Sequence, residues 1–289
     1  MIDSHVHLYP PEVNRDPEGW AEAQGEPRWA RMCARRRADG LCVQGFPSVE
    51  ALLKTMDAAA IERAVLLGWY WENHDTGVAQ NRFFASCVRT YPDRLSAFAA
   101  VQPKAGEAAL TELRRAREDG LIGVGELCPH AVGIAWDAAE LADVFSLAGE
   151  LGMPVNLHVT DPSSAPYPGR VETPLEDFER WAQRHRETTF VLAHWAGGLD
   201  VRALPNVWID TAAAPLIYRG PAWNRLGTTA RPEQVLFGSD YPLNLYPKYT
   251  VDPELATFVG EAKAALADEA TRAAVLGGNA RRVFRLPLV

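Results

Sequence analysis

Two histidines one residue apart sit in the first apolar run of the chain, IDSHVH (2–7). Side chains two apart on a strand point to the same side, so His5 and His7 can face one cation or one pocket. In a chain with seven histidines, such a pair taken alone is more often incidental than a metal site. Four further groups of the same chemistry fall near the ends of other apolar runs. Glu126 lies in LIGVGEL (121–127), His158 in MPVNLHV (153–159), His194 in TTFVLAHW (188–195) and Asp240 in QVLFGSD (234–240). Imidazole nitrogen and carboxylate oxygen form the donor set favoured by Zn2+ and similar divalent ions. The competing reading is that these groups merely hydrogen-bond to one another. Burying two carboxylates and four imidazoles without a cation is costly, because the charged forms lose their hydration.

Parallel strands that all finish at one face would bring such residues together. Eight short β-type runs alternate with helix-type or loop segments; besides the five above they are ERAVLLG (62–68), RLSAFAAVQ (94–102) and NVWIDT (206–211). SVEALLKTMDAA (48–59) has Ser48 as its expected N-cap, GEAALTELRRAREDG (106–120) is closed by Gly120, and AWDAAELADVFSLAGELG (135–152) by Gly152. Eight strands in this length predict a (β/α)8 barrel, whose active site lies at the C-terminal ends of the strands. Between the sixth and seventh strands only 196–205 is left, so any helix there must be very short. The segment 9–47, rich in Pro, Arg, Trp and Gly, is an insertion after the first strand and is expected to form a lid within a single domain, 1–289.

Composition narrows the function classes. Hydrophobic residues make up 47% and charged residues 23%, ordinary for a globular chain. A net charge of −8 argues against general affinity for nucleic acid or anionic membrane. One local exception is RWARMCARRR (28–37), with five arginines, read as a solvated helix face or a binding patch. The four cysteines form no CxxC pair, which fits a reduced, cytoplasmic setting, and no apolar run is long enough to span a bilayer. The first strand begins at once, so no targeting segment is expected.

With HxH on the first strand, histidines on the fifth and sixth, and Asp240 in FGSDYP, the chain resembles the amidohydrolase superfamily. The likeness is to the amidohydrolase-related branch that includes aminocarboxymuconate-semialdehyde decarboxylase. GGNARRVFRL (277–286) resembles that branch's ending, a turn into a helix that closes the barrel. The resemblance implies that His5, His7 and Asp240 hold the more buried metal, with His158 a further ligand. It implies that His194 binds a second metal or orients the attacking water. Glu126 departs from the decarboxylases of the branch and is similar to the bridging glutamate of TatD-like hydrolases; a supporting role orienting a histidine is the alternative.

Those implications favour a metal-dependent hydrolase with one or two divalent ions, Zn2+ first among them. A cation-bound water would act on a small amide, ester or lactone, with Asp240 moving protons and His194 holding developing charge. The alternatives are a nonoxidative decarboxylase of a small unsaturated or aromatic acid, and a barrel that has lost catalysis and serves as a binding protein. The expected partner is a small-molecule substrate, without membrane or nucleic acid; a homo-oligomer is left open. Trp69, Tyr70 and Trp71 could wall an apolar substrate, and Arg170, an arginine of 28–37, or Tyr218 and Arg219 could reach an anionic group. Cys128, His130 and His74 are weaker pocket candidates, and His185 is expected at the surface.

Overall fold

The structure, a computed structural model, describes residues 1–38, 40–164, 166–217, 222–244 and 255–287. Eight parallel strands run in sequence order around a (β/α)8 barrel: β1 (Ile2–His7), β2 (Arg63–Leu67), β3 (Leu95–Ala99), β4 (Gly123–Leu127), β5 (Val155–Leu157), β6 (Phe190–Leu192), β7 (Val207–Asp210) and β8 (Val235–Leu236). The last strand returns to the first through Ser4 N to Phe237 O at 2.8 Å and His7 N to Tyr241 O at 2.7 Å. The observed strands are mostly shorter than the apolar runs. His158, His194 and Asp240 therefore stand just past their strands, where the chain turns.

The helices follow the periodicity. Ser48 caps Val49–Ala58 by accepting from Ala51 N at 3.2 Å, and Leu52 and Met56, four apart, are buried in the same hydrophobic cluster as Val6 of the first strand. Gly120 and Gly152 take the left-handed backbone expected of helix stops. Between β6 and β7 there is only a short turn, His194–Gly198, as the spacing requires. At the other end of the barrel the helix Asn279–Phe284 packs Phe284 edge-on to Phe98, 5.1 Å between ring centroids, among Ile2, Val65 and Leu236. This is the closing helix predicted from GGNARRVFRL. Among the described residues, no helix is long and apolar enough to cross a membrane.

The inserted segment is more ordered than its composition suggests. Pro11–Arg15, Pro17–Gln24 and Pro27–Trp29 are helical, each with proline in its first turn, and a π-type turn follows over Ala30–Ala34. Trp29 is fully buried among Tyr9, Trp20 and Trp71, with ring centroids 5.2–5.6 Å apart in edge-on or tilted pairs. The arginine-rich stretch is therefore not a solvated helix face: Trp29, Cys33 and Ala34 point inward. Arg28 reaches Glu72 at 3.7 Å and Arg36 reaches Glu18 at 3.3 Å.

Candidate metal centre

The six singled-out residues meet at one end of the barrel as two groups of three. His5, His7 and Asp240 form one, and Glu126, His158 and His194 the other; within each, one ligand atom per residue lies within 4.8 Å of the others. His5 Nε2 is 3.2 Å from His7 Nε2, and Asp240 Oδ1 is 3.7 and 3.4 Å from them. His158 Nδ1 is 3.0 Å from Glu126 Oε1 and 3.2 Å from His194 Nε2. Glu126 touches both groups, its Oε1 lying 3.6 Å from His194 Nε2 and its Oε2 3.9 Å from His7 Nε2. All six are buried except Asp240, whose side chain is 13% exposed and opens toward the cavity above.

Outward-facing hydrogen bonds set the tautomers. His5 Nδ1 donates to Asp210 Oδ2 at 3.0 Å, His7 Nδ1 to Leu67 O at 3.3 Å and His194 Nδ1 to Ala212 O at 2.9 Å. With one proton on Nδ1, each ring in its neutral form, the form a cation would bind, turns an Nε2 lone pair inward. Three lone pairs and two carboxylates then face one another with few donors among them. That donor set fits divalent cations and little else. The electrostatics agree. Burial opposes charging His5, yet Asp210, with Asp240 and Glu126, raises it to about 10. Burial opposes ionising Glu126, but His158 and His194 hold it well below the usual carboxylate range; His7 and His5 likewise lower Asp240 against its burial. The cluster stabilises positive charge at its centre.

Local backbone geometry aims these groups. Gly125 has φ 131°, and a Cβ there would lie 2.5 Å from Asn156 O, so only glycine lets β4 pass close enough to present Glu126. His194 and Asp240 both have left-handed backbone, φ 58° and 65°. Such residues cost about 1–3 kcal/mol each and persist where their surroundings hold them. Around Asp240 the hold is explicit. Its N–H donates to His5 O at 3.0 Å, and neighbouring Ser239 donates through N and Oγ to the buried Asp3, at 3.0 and 2.6 Å.

Asp210, at the end of β7, was not singled out from the sequence, although NVWIDT carries the same signal of an acid closing an apolar run. Fully buried, it accepts from His5 Nδ1, from Asn156 Nδ2 at 3.0 Å, and from the backbone N–H groups of His194 and Ala212 at 3.2 and 3.0 Å. One carboxylate thus orients a histidine of the first group and the backbone of one in the second. Replacing it with Asn is expected to lower metal affinity about 10- to 100-fold while the fold persists. Competition with a chelating dye checks this; unchanged affinity would show that His5 keeps its orientation without Asp210.

Above the centre opens a cavity of about 1120 Å3. Trp69 lines it, its ring 5.7 Å from that of His7. Trp71 does not: it belongs to the aromatic cluster beneath the inserted segment, its Nε1 donating to Gln80 Oε1 at 2.5 Å. Tyr70 stacks on Trp69 at 4.2 Å. Arg170 also stays off the cavity wall, holding its own loop together through Ser164 Oγ at 3.0 Å, Asp161 O at 3.2 Å and the Glu172 carboxylate. His130 bonds Asp177 at 3.0 Å, Cys128 packs with the aromatic cluster, His74 begins the helix His74–Thr90, and the half-buried His185 packs edge-on to Phe145. Tyr218 and Arg219 lie outside the described residues.

Several solved structures share this fold over almost their whole length. A 5-carboxyvanillate decarboxylase from Sphingomonas paucimobilis is 18% identical with a TM-score of 0.75, covering 99% of both chains. A 2,6-dihydroxybenzoate decarboxylase from Rhizobium is 19% identical with a TM-score of 0.67, covering 99% of this chain and 98% of its own. A dihydroxybenzoic acid decarboxylase from Polaromonas sp. JS666, solved with bound manganese and the inhibitor 2-nitroresorcinol, is 18% identical with a TM-score of 0.69, covering 100% and 97%. No curated protein sequence matches. Residues 2–286 match a family described as amidohydrolase.

Proposed function

The chain belongs to the amidohydrolase family, and from that membership we propose that it is a metal-dependent decarboxylase releasing carbon dioxide, without oxidation, from a small unsaturated or aromatic acid. The observation that carries this reading is a large, mainly apolar-walled cavity, Trp69 at its side, that ends on a cluster of cation-binding acceptors. Whole-length likeness to decarboxylases of aromatic acids supports it over the hydrolase expected first from the sequence.

His5, His7 and Asp240 would hold one divalent ion; Glu126, His158 and His194 offer a second position. Zn2+ suits the donors, and Mn2+ is the ion bound in the Polaromonas enzyme. Such an ion supplies positive charge against which a carboxylate is oriented, and brings the pKa of a bound water toward neutrality. The residues do the rest. Trp69 and the neighbouring apolar wall take the ring and exclude water, so a carboxylate there is poorly solvated and its loss as neutral carbon dioxide is favoured. When the carbon–carboxyl bond breaks, its electron pair stays on carbon. Asp240, which lines the cavity and is the most exposed of the six, is placed to relay a proton taken up from solvent water to the vacated carbon, forming the new C–H bond. The segment 9–47, which contributes Met32, Cys33 and Arg35 to the rim, is read as the lid.

One observation favours a second reading, hydrolysis. Glu126 stands between the two groups of three, where it could be shared by two ions, an arrangement suited to activating water. The two reactions leave different traces. Metal-loaded protein incubated with 2,6-dihydroxybenzoate, 5-carboxyvanillate and aryl ester or lactone probes is expected to evolve carbon dioxide from an acid and, in deuterated water, to place deuterium at the vacated carbon. Solvent oxygen entering a product with no carbon dioxide released would replace decarboxylation with hydrolysis.

A further inference from the structure

We infer that Thr160 is a positioning residue that decides whether Glu126, His158 and His194 take up a cation; this rests on the metal-binding reading of the site. The four histidines are not held alike. His5, His7 and His194 present Nε2 inward and are fixed by outward groups that only accept, Asp210, Leu67 O and Ala212 O. His158 is turned the other way. Its Nδ1 faces inward, 3.0 Å from Glu126 Oε1 and 3.2 Å from His194 Nε2, and its Nε2 faces Thr160 Oγ1 at 3.3 Å. A hydroxyl both donates and accepts, so this contact leaves the tautomer of His158 open.

Two arrangements follow, and they differ in which way one hydroxyl points. When Thr160 donates to Nε2, the ring proton sits on Nδ1 between two acceptors, Glu126 Oε1 and His194 Nε2. The three side chains then satisfy one another, and the proton holds the place of an ion. When Thr160 accepts from Nε2–H, it turns its own proton to the Tyr167 phenol, which lies within its reach. Nδ1 then becomes a third acceptor beside the other two, and a cation is what relieves the group. The first arrangement needs no ion and is the resting one. His5, His7 and Asp240 therefore fill first, and the second position fills at excess metal. Thr160 is held so that only its proton has to move. It is buried, its branched side chain is stiff, and its backbone is pinned by Thr173 across the intervening loop: Thr160 N donates to Thr173 Oγ1 at 2.8 Å, and Thr173 Oγ1 donates to Thr160 O at 3.4 Å.

The test is Zn2+ binding by calorimetry beside imidazole nitrogen NMR spectra of histidine-labelled protein, with the His158 signals identified by their absence from His158→Gln. At one equivalent of Zn2+, His158 is expected to carry its proton on Nδ1. At excess Zn2+ a second, weaker equivalent binds and the proton moves to Nε2. Thr160→Val puts a methyl group where Nε2–H needs an acceptor, and is expected to weaken the second equivalent about 10- to 100-fold while leaving the first unchanged. Thr160→Ser, which keeps the hydroxyl, is expected to restore it; a merely structural role would neither separate the two equivalents nor move the spectra. Should Thr160→Val lose its thermal transition, the wild-type spectra decide. A His158 proton on Nε2 at one equivalent, two equivalents of equal affinity, no second equivalent at millimolar Zn2+, or a second equivalent untouched by Thr160→Val overturns the proposal. Turnover is not part of this readout. Protein that binds no Zn2+ at all removes the metal reading itself, whereas protein that binds it with one of these outcomes removes only the role of Thr160.

Discussion

Asp240→Asn is expected to cut turnover about 100- to 10,000-fold, the range for removing a positioned proton-transfer group, while the unfolding transition stays nearly where it was. The near-isosteric amide keeps the shape but cannot take up and release a proton at neutral pH. The fold should tolerate it for a specific reason. Position 240 has φ 65°, and Asn is among the few non-glycine residues that adopt this conformation readily. The turn's anchors, Asp240 N to His5 O and Ser239 to Asp3, do not involve the replaced atoms. Steady-state kinetics beside a thermal melt decides the matter. Activity within about tenfold of wild type would remove Asp240 from proton transfer in either reaction.

Glu126→Gln is expected to leave reconstituted protein with one metal equivalent, as in the wild type, and to lower turnover about 10- to 100-fold through loss of the group that orients His158, whereas two ions sharing Glu126 would fall to one. Glu126 is 2% exposed and reaches His158 and His194 with Oε1 and His7 with Oε2. A carboxylate in that position can serve two cations at once. An amide offers one neutral oxygen and turns its NH2 toward imidazole lone pairs or toward the cations themselves. Elemental analysis of wild type and variant, loaded side by side, gives the answer. A fall from two to one favours the water-activating arrangement and so the hydrolytic reading. One equivalent in both proteins would leave Glu126 as a group that orients His158, and would favour decarboxylation at a single ion.

The barrel and the meeting of the six histidines and acids were legible because both depend on rules with short range. Apolar runs mark strands, parallel strands share an end, and acids or histidines at those ends must converge. What escaped depends on the loops. Trp69 and Trp71 read as a matched pair, but they lie beyond β2, where alternation no longer governs direction, and only Trp69 faces the cavity. Arg170 stands in a loop that satisfies it internally. The order of the 9–47 segment comes from Trp29, Trp20 and Tyr9 finding Trp71, a contact between distant parts of the chain that no local pattern announces. Asp210 is a different omission: it closes an apolar run as Asp240 does, and the same criterion applied evenly would have marked it.

The seam between β1 and the segment after β8 has a consequence for how the protein is made. His5 and His7 lie near one end of the chain and Asp240 more than 200 residues on, yet Asp240 N bonds His5 O directly. No partial barrel contains this group of ligands. Contacts this far apart in sequence carry the largest loop-closure cost and are slow to form. A cation held by His5, His7 and Asp240 would therefore be received by a barrel that has already joined its ends rather than serve as an early template. Metal uptake during refolding becomes a clock for the final act of closure.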